Sequence, residues 1–248
     1  MYLIDVRNIY GLRDLFQSRT VPVFWDFMFT EAGPIELLQW LFLAGLSTVS
    51  YYLYKVLDEQ NRKEESVFWG LFSVAGFLMF LEDSLDIRHL VLRNLLTFEW
   101  VVLNLLETLY FVMLGLIPLV AVLKYGKYIR QSRVTVVLLA VGFVFYGSAA
   151  FISGPGDLTS VNYVIGDYLY EATGSMGDGE LRELYELGDQ NILDKEEELG
   201  IQMMDVRYRL KDYLVEESLE LVGATMLLAS ALSYLKFVQT KPRDLSNR

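Results

Sequence analysis

The chain has 248 residues, of which 53% are hydrophobic and 14% aromatic, and its formal net charge is −11 at pH 7. The absence of cysteine excludes disulfides, thiolate metal sites and cysteine nucleophiles, and the acidic balance argues against nucleic acid as a partner. The hydrophobic residues fall in blocks of about 16–24, long enough to cross a hydrocarbon core of ~30 Å. The predicted class is therefore an all-α, polytopic integral membrane bundle of about five transmembrane helices, preceded by an N-terminal interfacial helix.

The first predicted element, residues 1–33, is an interfacial or re-entrant segment. Its stretch VPVFWDFMF is apolar and aromatic but too short to span a bilayer, and it carries Asp26. Pro34 is expected to open the first span. Region 34–153 is predicted to hold transmembrane helices one to four, at roughly 34–57, 66–92, 98–124 and 133–153.

The second half of the chain divides into two parts. Residues 154–211 form an acidic segment rich in glycine and aspartate, with helical stretches such as GELRELYEL. Residues 212–248 contain the fifth span, roughly 212–238, and a polar tail. Long segments of this kind in compact folds usually have a function, and we expect 154–211 to contact a second copy or another subunit of a membrane complex.

The positions of lysine and arginine predict the orientation, because cytoplasmic loops of membrane proteins are enriched in both. The turn after the first span, the turn at 124–133 and the C-terminal tail are basic, whereas 154–211 is acidic. Five spans with the N-terminus outside and the C-terminus in the cytoplasm place the three basic regions in the cytoplasm and the acidic segment outside. We therefore expect a multi-pass protein of the cell membrane, with the lipid bilayer as its first partner and 154–211 outside.

Acidic side chains fall at one depth in three predicted spans. Counted from the predicted cytoplasmic edge, Glu82 and Glu107 lie about 16 residues in and Glu220 about 15, which is roughly 24 Å at 1.5 Å per residue. Glu107 has apolar sequence on both sides and is therefore not a loop residue. Since an ionisable group facing lipid costs at least ~2.5–3.5 kcal/mol, we expect the three carboxylates to converge in the outer leaflet.

Helical spacing extends this predicted site. Glu82, Asp86 and His89 share one helix face, and Glu217 lies three residues before Glu220. Span four offers Tyr146, Ser148 and Ser153 at a similar level. The predicted ligand set is Glu82, Asp86, His89, Glu107, Glu217 and Glu220, with Asp83, Asn104 and Glu216 as secondary members.

Carboxylates this close cannot all remain charged and uncompensated, so some carry a proton or a cation neutralises them. The oxygen-rich set suits a hard cation such as Ca²⁺, Mg²⁺, Mn²⁺ or Na⁺. Zinc and di-iron sites are disfavoured, because they need more histidine than the single one present. Simpler interpretations stay open: Glu82, Asp83, Glu216 and Glu217 at solvated helix ends, and Glu107 in an interhelical hydrogen bond.

Three functional hypotheses follow from such a site. The favoured one is cation or proton binding, in transport or conduction. The second is a metal-dependent membrane enzyme acting on a lipid or another apolar substrate. The third is a non-catalytic subunit or sensor of a membrane complex. The sequence contains no P-loop or GxSxG motif, so catalysis is the weaker expectation.

The stretches FLMFLEDSLDIRH and VEESLELVGA resemble a family of prokaryotic multi-pass membrane proteins. These share an Asp-rich helix that ends in histidine and a closing helix of the form E-E-x-L-E-x-x-G. Here the closing pattern is carried by Glu216, Glu217, Leu219, Glu220 and Gly223. In the first motif Asp83 and His89 keep the spacing, while Ser84 replaces the expected acid. The resemblance implies a shared site on spans two and five, and it implies no activity. Gly223 is also predicted to be a position of close helix packing.

Overall fold

The computed structural model describes residues 2–30, 32–85, 100–153, 161–200 and 203–240. Across these ranges the chain is helical and contains no strand. In chain order the helices are α1 (Phe24–Phe29), α2 (Pro34–Glu59), α3 (Lys63–Leu85), α4 (Trp100–Ile129), α5 (Arg133–Ser153), α6 (Val161–Gly174), α7 (Glu180–Leu199), α8 (Val206–Arg209) and α9 (Glu217–Thr240). A π-helical segment, Leu210–Glu216, joins α8 to α9, and further π and 3-10 segments lie at Tyr2–Val6, Ile9–Phe16 and Met176–Gly179.

Within the described ranges, five helical segments are long and apolar enough to cross a membrane. They are Phe24–Glu59, Lys63–Leu85, Val112–Ile129, Arg133–Ile152 and Val206–Thr240. The predicted all-helical class and the number of candidate spans are thereby confirmed. The second of them is described only to Leu85, because residues 86–99 lie outside the described part of the chain.

The chain divides into two compact units. The first unit contains Met1–Leu37 and Ala149–Leu219, and the second unit contains Leu38–Ser148 and Glu220–Arg248. The first unit thus joins two stretches, 1–33 and 154–211, that the sequence patterns alone do not connect. Each unit has a hydrophobic core of its own.

The core of the second unit is built from α2, α3, α5 and α9 together with the C-terminal half of α4. Aromatic rings dominate it: the ring centroids of Phe68 and Phe72 lie 4.7 Å apart, and those of Trp69 and Tyr234 lie 5.2 Å apart. Smaller buried side chains fill the space between them. α2 and α3 are also joined by a reciprocal pair of hydrogen bonds, in which each hydroxyl of Ser47 and Ser73 donates to the other residue's carbonyl at 3.0 Å.

Glycines allow α5 and α9 to pack in close contact. A Cβ added at Gly223 would lie 2.8 Å from both the backbone N and the Cβ of Tyr146, and one at Gly142 would lie 2.8 Å from Cγ of Leu227. Real Cβ atoms essentially never come within 3.0 Å of another atom, so only glycine fits at either position. The predicted role of Gly223 in close packing is confirmed. Because Gly142 precedes Tyr146 by one turn and Gly223 precedes Leu227 by one turn, the contact continues over a full turn of both helices.

The core of the first unit forms around α7. Its buried residues Leu181, Tyr185, Gly188 and Ile192 recur at three- and four-residue intervals, which places them on one face. They pack with Val21, Trp25 and Val206, among others. Most of the acidic run at the end of α7 is exposed, and Glu196, one turn after Ile192, accepts a hydrogen bond from the backbone N–H of Met203.

Buried acids of the first unit are held by specific donors. Asp26, whose side chain is 3% exposed, lies 3.1 Å from Nη1 of Arg209 and 4.0 Å from Nη2 of Arg19. Asp5 is fully buried and accepts a hydrogen bond from the backbone N–H of Phe24. Burial raises the pKa of Asp5 despite that bond. These contacts fix the N-terminal stretch to the unit.

Candidate functional site

The polar residues of the second unit meet at Gln39, in the second turn of α2. Its side-chain Nε2 donates to Oδ2 of Asp83 on α3 and to Oε2 of Glu220 on α9, each at 2.7 Å. These are short bonds of the kind that charged acceptors form. One neutral amide therefore joins three helices and holds two carboxylates within two hydrogen-bond lengths of each other.

Tyr146 adds a fourth helix to this polar cluster. Its hydroxyl donates to the same Oδ2 of Asp83 at 3.0 Å. The backbone of Tyr146 is the surface against which Gly223 packs, so the close approach of α5 and α9 sets the position of this donor. We call Gln39, Asp83, Tyr146 and Glu220 the Gln39 cluster.

The amide of Gln39 is buried, whereas Asp83, Tyr146 and Glu220 are only partly buried. Gln39 is 1% exposed, and its Oε1 is buried without a hydrogen-bond donor among the described residues. A buried acceptor left without a donor costs about 1–3 kcal/mol. The site therefore combines two carboxylates with an amide oxygen that lacks a donor, an arrangement that a water, a proton-bearing group or a cation would complete.

The structure brings together some of the predicted ligands. Asp83 and Glu220 share the amide of Gln39, and Glu82, adjacent to Asp83, is 6% exposed. Asp86 and His89 lie outside the described residues. Asn104 and Glu107 lie on α4, but their side chains are outside the described part of the structure. Among the described side chains, no group of three or more His, Asp or Glu is arranged to hold a metal ion.

Two further predicted ligands, Glu216 and Glu217, belong to the first unit. Glu216 ends the π-helical segment and lies 4.0 Å from Nζ of Lys211, a lysine that is 1% exposed. The same ammonium donates to Asp212 at 3.1 Å. The negative charge of Glu216 thus has a buried counter-ion on its own helical segment.

Among the three residues predicted from span four, Tyr146 is the one whose described contacts reach the Gln39 cluster. Tyr146 donates to Asp83, whereas the hydroxyl of Ser148 donates to the carbonyl of Val144 on its own helix at 2.6 Å. The side chain of Ser153 lies outside the described residues. A serine that bonds its own backbone in this way is a common arrangement in helices and leaves no hydroxyl proton for a neighbour.

Sequence reasoning missed Gln39, although the depth argument that selected the acids also applies to it. About 16 residues separate Gln39 from Lys55, the lysine near the predicted cytoplasmic end of α2. That is the spacing found for Glu82 and Glu107. Applying to the first span the same attention to neutral polar side chains that selected Asn104 and Tyr146 would have found it.

A second polar contact joins α3 and α9 at the far ends of their shared core. Glu65 accepts from the guanidinium of Arg62, through Nε at 3.0 Å and through Nη2, and it also accepts from the hydroxyl of Tyr234. Tyr234 is fully buried and Glu65 is 9% exposed. Sequence analysis did not identify this contact. It is a neutralised ion pair, so its evident role is to hold the two helices together.

Comparison with known proteins does not identify the chain. No family model, no curated protein and no solved structure matches it. The chemistry of the Gln39 cluster is therefore inferred from its own residues and contacts.

Proposed function

We propose that this chain is an integral membrane protein that binds a cation or exchanges a proton at the Gln39 cluster, in a transport or conduction process. The proposed orientation places the N-terminus outside and the C-terminus in the cytoplasm, with the cluster in the outer leaflet. The single observation that carries the proposal is the amide of Gln39 donating to two carboxylates from two other helices.

Charge supports this proposal. Two carboxylates this close repel each other when both are ionised, and the repulsion is stronger away from water. Binding one positive charge, as a proton or a cation, relieves it. Ionisable residues inside membrane spans are rare because of their cost, and they commonly mark ion or proton pathways.

The test is thermal unfolding of the full chain in detergent, followed across pH and with added Na⁺, Ca²⁺, Mg²⁺ or Mn²⁺. We expect the melting temperature of the wild type to depend on pH or on one of these cations. The double variant Asp83→Asn, Glu220→Gln should lose that dependence. The control is Ser148→Ala, on α5 but outside the Gln39 cluster, which should respond as the wild type does. Equal responses of the wild type and the double variant would refute the proposal.

A second candidate function is a non-catalytic subunit or sensor of a membrane complex. The contact between Lys211 and Glu216 favours it, because acids neutralised within the chain need no transported ion. In this case the first unit, which contains most of 154–211, would contact a second copy or another subunit. The two candidates differ in the test above, because a purely structural role predicts no ligand-dependent stabilisation at Asp83 and Glu220.

A further inference from the structure

We propose that the first unit carries a membrane-interface anchor, in which one edge of the 3-10 helix Ile9–Phe16 inserts into the headgroup region of the bilayer. This leucine edge consists of Leu12 and Leu15, which are 37% and 70% exposed. Residues three apart are aligned in a 3-10 helix, so the two side chains form one apolar strip. The inference depends on membrane insertion, which the proposed function also assumes, but not on the ligand of the Gln39 cluster.

Contacts on a second edge fix how this helix is turned. Nη1 of Arg13 donates to the backbone carbonyl of Asp5 at 3.1 Å and forms an ion pair with Glu180, at the start of α7, at 3.2 Å. The ring centroid of Phe16, three residues after Arg13, lies 5.5 and 5.3 Å from those of two phenylalanines of α1. Because Arg13 and Phe16 face the rest of the unit, the leucine edge is directed away from it.

The third edge of the helix is polar. Oδ1 of Asp14 accepts from Nδ2 of Asn8 at 3.1 Å and from Nε2 of Gln17 at 3.3 Å, and both Asp14 and Gln17 are exposed. One edge thus contacts the protein, one is apolar and exposed, and one is polar and exposed. Helices that lie in the plane of a membrane interface combine an apolar and a polar side in this way, and eight residues are too few to span the bilayer.

The turn that precedes the leucine edge exposes a tyrosine. Tyr10 has a φ of 56° and Gly11 a φ of 69°, and Tyr10 is 95% exposed. A positive φ is uncommon for a residue other than glycine; here the side chain of Asn8 supports the turn by accepting from the backbone N–H of Arg13 at 2.9 Å. Tyrosine is enriched at membrane–water interfaces, because its ring is apolar and its hydroxyl is polar.

The place of this helix in the first unit indicates lipid as the occupant of the leucine edge. Phe16 contacts α1, and α1 belongs to the candidate span Phe24–Glu59. The first unit also contains the ends of two further candidate spans, at 149–152 and 206–219. The leucine edge therefore belongs to the same compact unit as the ends of three segments that are long and apolar enough to cross a membrane.

Charge and size favour lipid over a protein partner. Residues 1–20 contain three arginines and two aspartates, whereas the whole chain has a net charge of −11. This stretch therefore suits the phosphate groups of lipid headgroups better than the rest of the chain does. Two leucines and a tyrosine supply less than the ~1,000 Å² that a stable protein interface buries, but such a strip is sufficient to insert between headgroups.

The experiment measures the accessibility of a spin label on the full chain in vesicles of phosphatidylcholine and phosphatidylglycerol. The chain has no cysteine, so one introduced cysteine carries the only nitroxide. Leu15→Cys and Leu12→Cys place it on the leucine edge, and Gln17→Cys places it on the polar edge as the matched control. We expect the first two labels to collide mainly with oxygen, which dissolves in the bilayer, and the Gln17→Cys label to collide mainly with a water-soluble nickel complex. Val144→Cys, at a position that is 67% exposed on α5, reports on insertion of a candidate span.

The outcomes distinguish this inference from the proposed function. If the Val144→Cys label contacts lipid while the Leu15→Cys and Leu12→Cys labels respond as Gln17→Cys does, the anchor is refuted and the proposed function stands. If the labels on the leucine edge are shielded from both reagents, or broaden the spectra of a second copy, protein covers this edge and the anchor is also refuted. If the Val144→Cys label contacts water alone, the chain is not inserted, and the anchor and the proposed function both fail.

Discussion

Gly223→Ala tests whether the packing of α5 on α9 positions the Gln39 cluster. The added methyl group would lie 2.8 Å from the backbone N of Tyr146. That atom belongs to a helix and cannot move as a flexible side chain does. The two helices must therefore separate, and the Tyr146 hydroxyl moves away from Asp83 with its helix.

The size of the effect follows from these distances. Ordinary van der Waals contact begins at 3.4 Å, so the helices must separate by roughly 0.6 Å. Overpacking of this kind costs about 1–3 kcal/mol. The bond from Tyr146 to Asp83 is 3.0 Å long, and the same displacement stretches it to roughly 3.6 Å, beyond hydrogen-bonding range. Loss of a donor to a charged acceptor adds about 1.5–3 kcal/mol, so we expect a total of about 2.5–6 kcal/mol.

The assay is equilibrium unfolding of the purified variant in detergent, with Gly147→Ala as the matched control. Gly147 follows Tyr146 on α5, and a Cβ there meets nothing within 4 Å. That control should be neutral or gain up to about 1 kcal/mol, because alanine favours a helix more than glycine does. If both variants unfold alike, the reasoning about close packing is wrong. If Gly223→Ala is destabilised but keeps the wild-type pH response, the packing of α5 on α9 does not control the Gln39 cluster.

Three further predictions concern single contacts. Burial raises the pKa of Tyr185 from 10.0 to about 12, so the unfolded chain loses this proton at a lower pH than the folded chain does. As pH rises from 10 to 12, the wild type should lose about 2 kcal/mol of stability relative to Tyr185→Phe in denaturant titrations. A pH-independent difference between the two would contradict this. Asp26→Ala leaves the guanidinium of Arg209 without its carboxylate and should lower the free energy of unfolding by about 3–5 kcal/mol in the same assay. Adding Arg209→Met should restore part of that stability, and no restoration would argue against the importance of the ion pair. Ser47→Ala removes one of two neutral interhelical bonds and should cost less than about 1 kcal/mol by thermal unfolding, whereas a loss above about 2 kcal/mol would show that these bonds align the helices.

The fold class was predictable because an apolar block long enough to cross a bilayer has few possible structures other than a transmembrane helix. The start of α2 at Pro34 and the close packing at Gly223 were also expected, since each depends on one residue and its nearest neighbours. The first unit was not predictable in this way. Its core joins Val21 and Trp25 to α7, more than 150 residues later in the chain, and no local periodicity encodes such a pairing.

The site was predictable only in part, for a related reason. Counting depth along each span selected Asp83 with Glu82, and Glu220, but depth says nothing about which way a side chain points around its helix. That direction depends on how the helices pack, and the packing depends on glycines whose effect is steric rather than chemical. Gln39 was not predicted because neutral polar residues were considered on spans three and four but not on span one. A neutral amide becomes important when two carboxylates need the same donor.

The contacts of α3 and α9 decide what a transport function would require. Glu65 meets Tyr234, while Asp83 and Glu220 meet at Gln39, so the two helices run antiparallel and are joined by polar contacts about 27 Å apart along α3. Between those contacts lie tightly packed aromatic rings, including Phe68, Trp69 and Phe72. A proton at the Gln39 cluster would pass this packing only if the rings separated and the Glu65 contact broke. Transport therefore demands a second conformation of this helix pair, whereas binding from one side demands none. A variant that weakens the Glu65 contact should increase proton flux under the first mechanism and leave proton binding unchanged under the second.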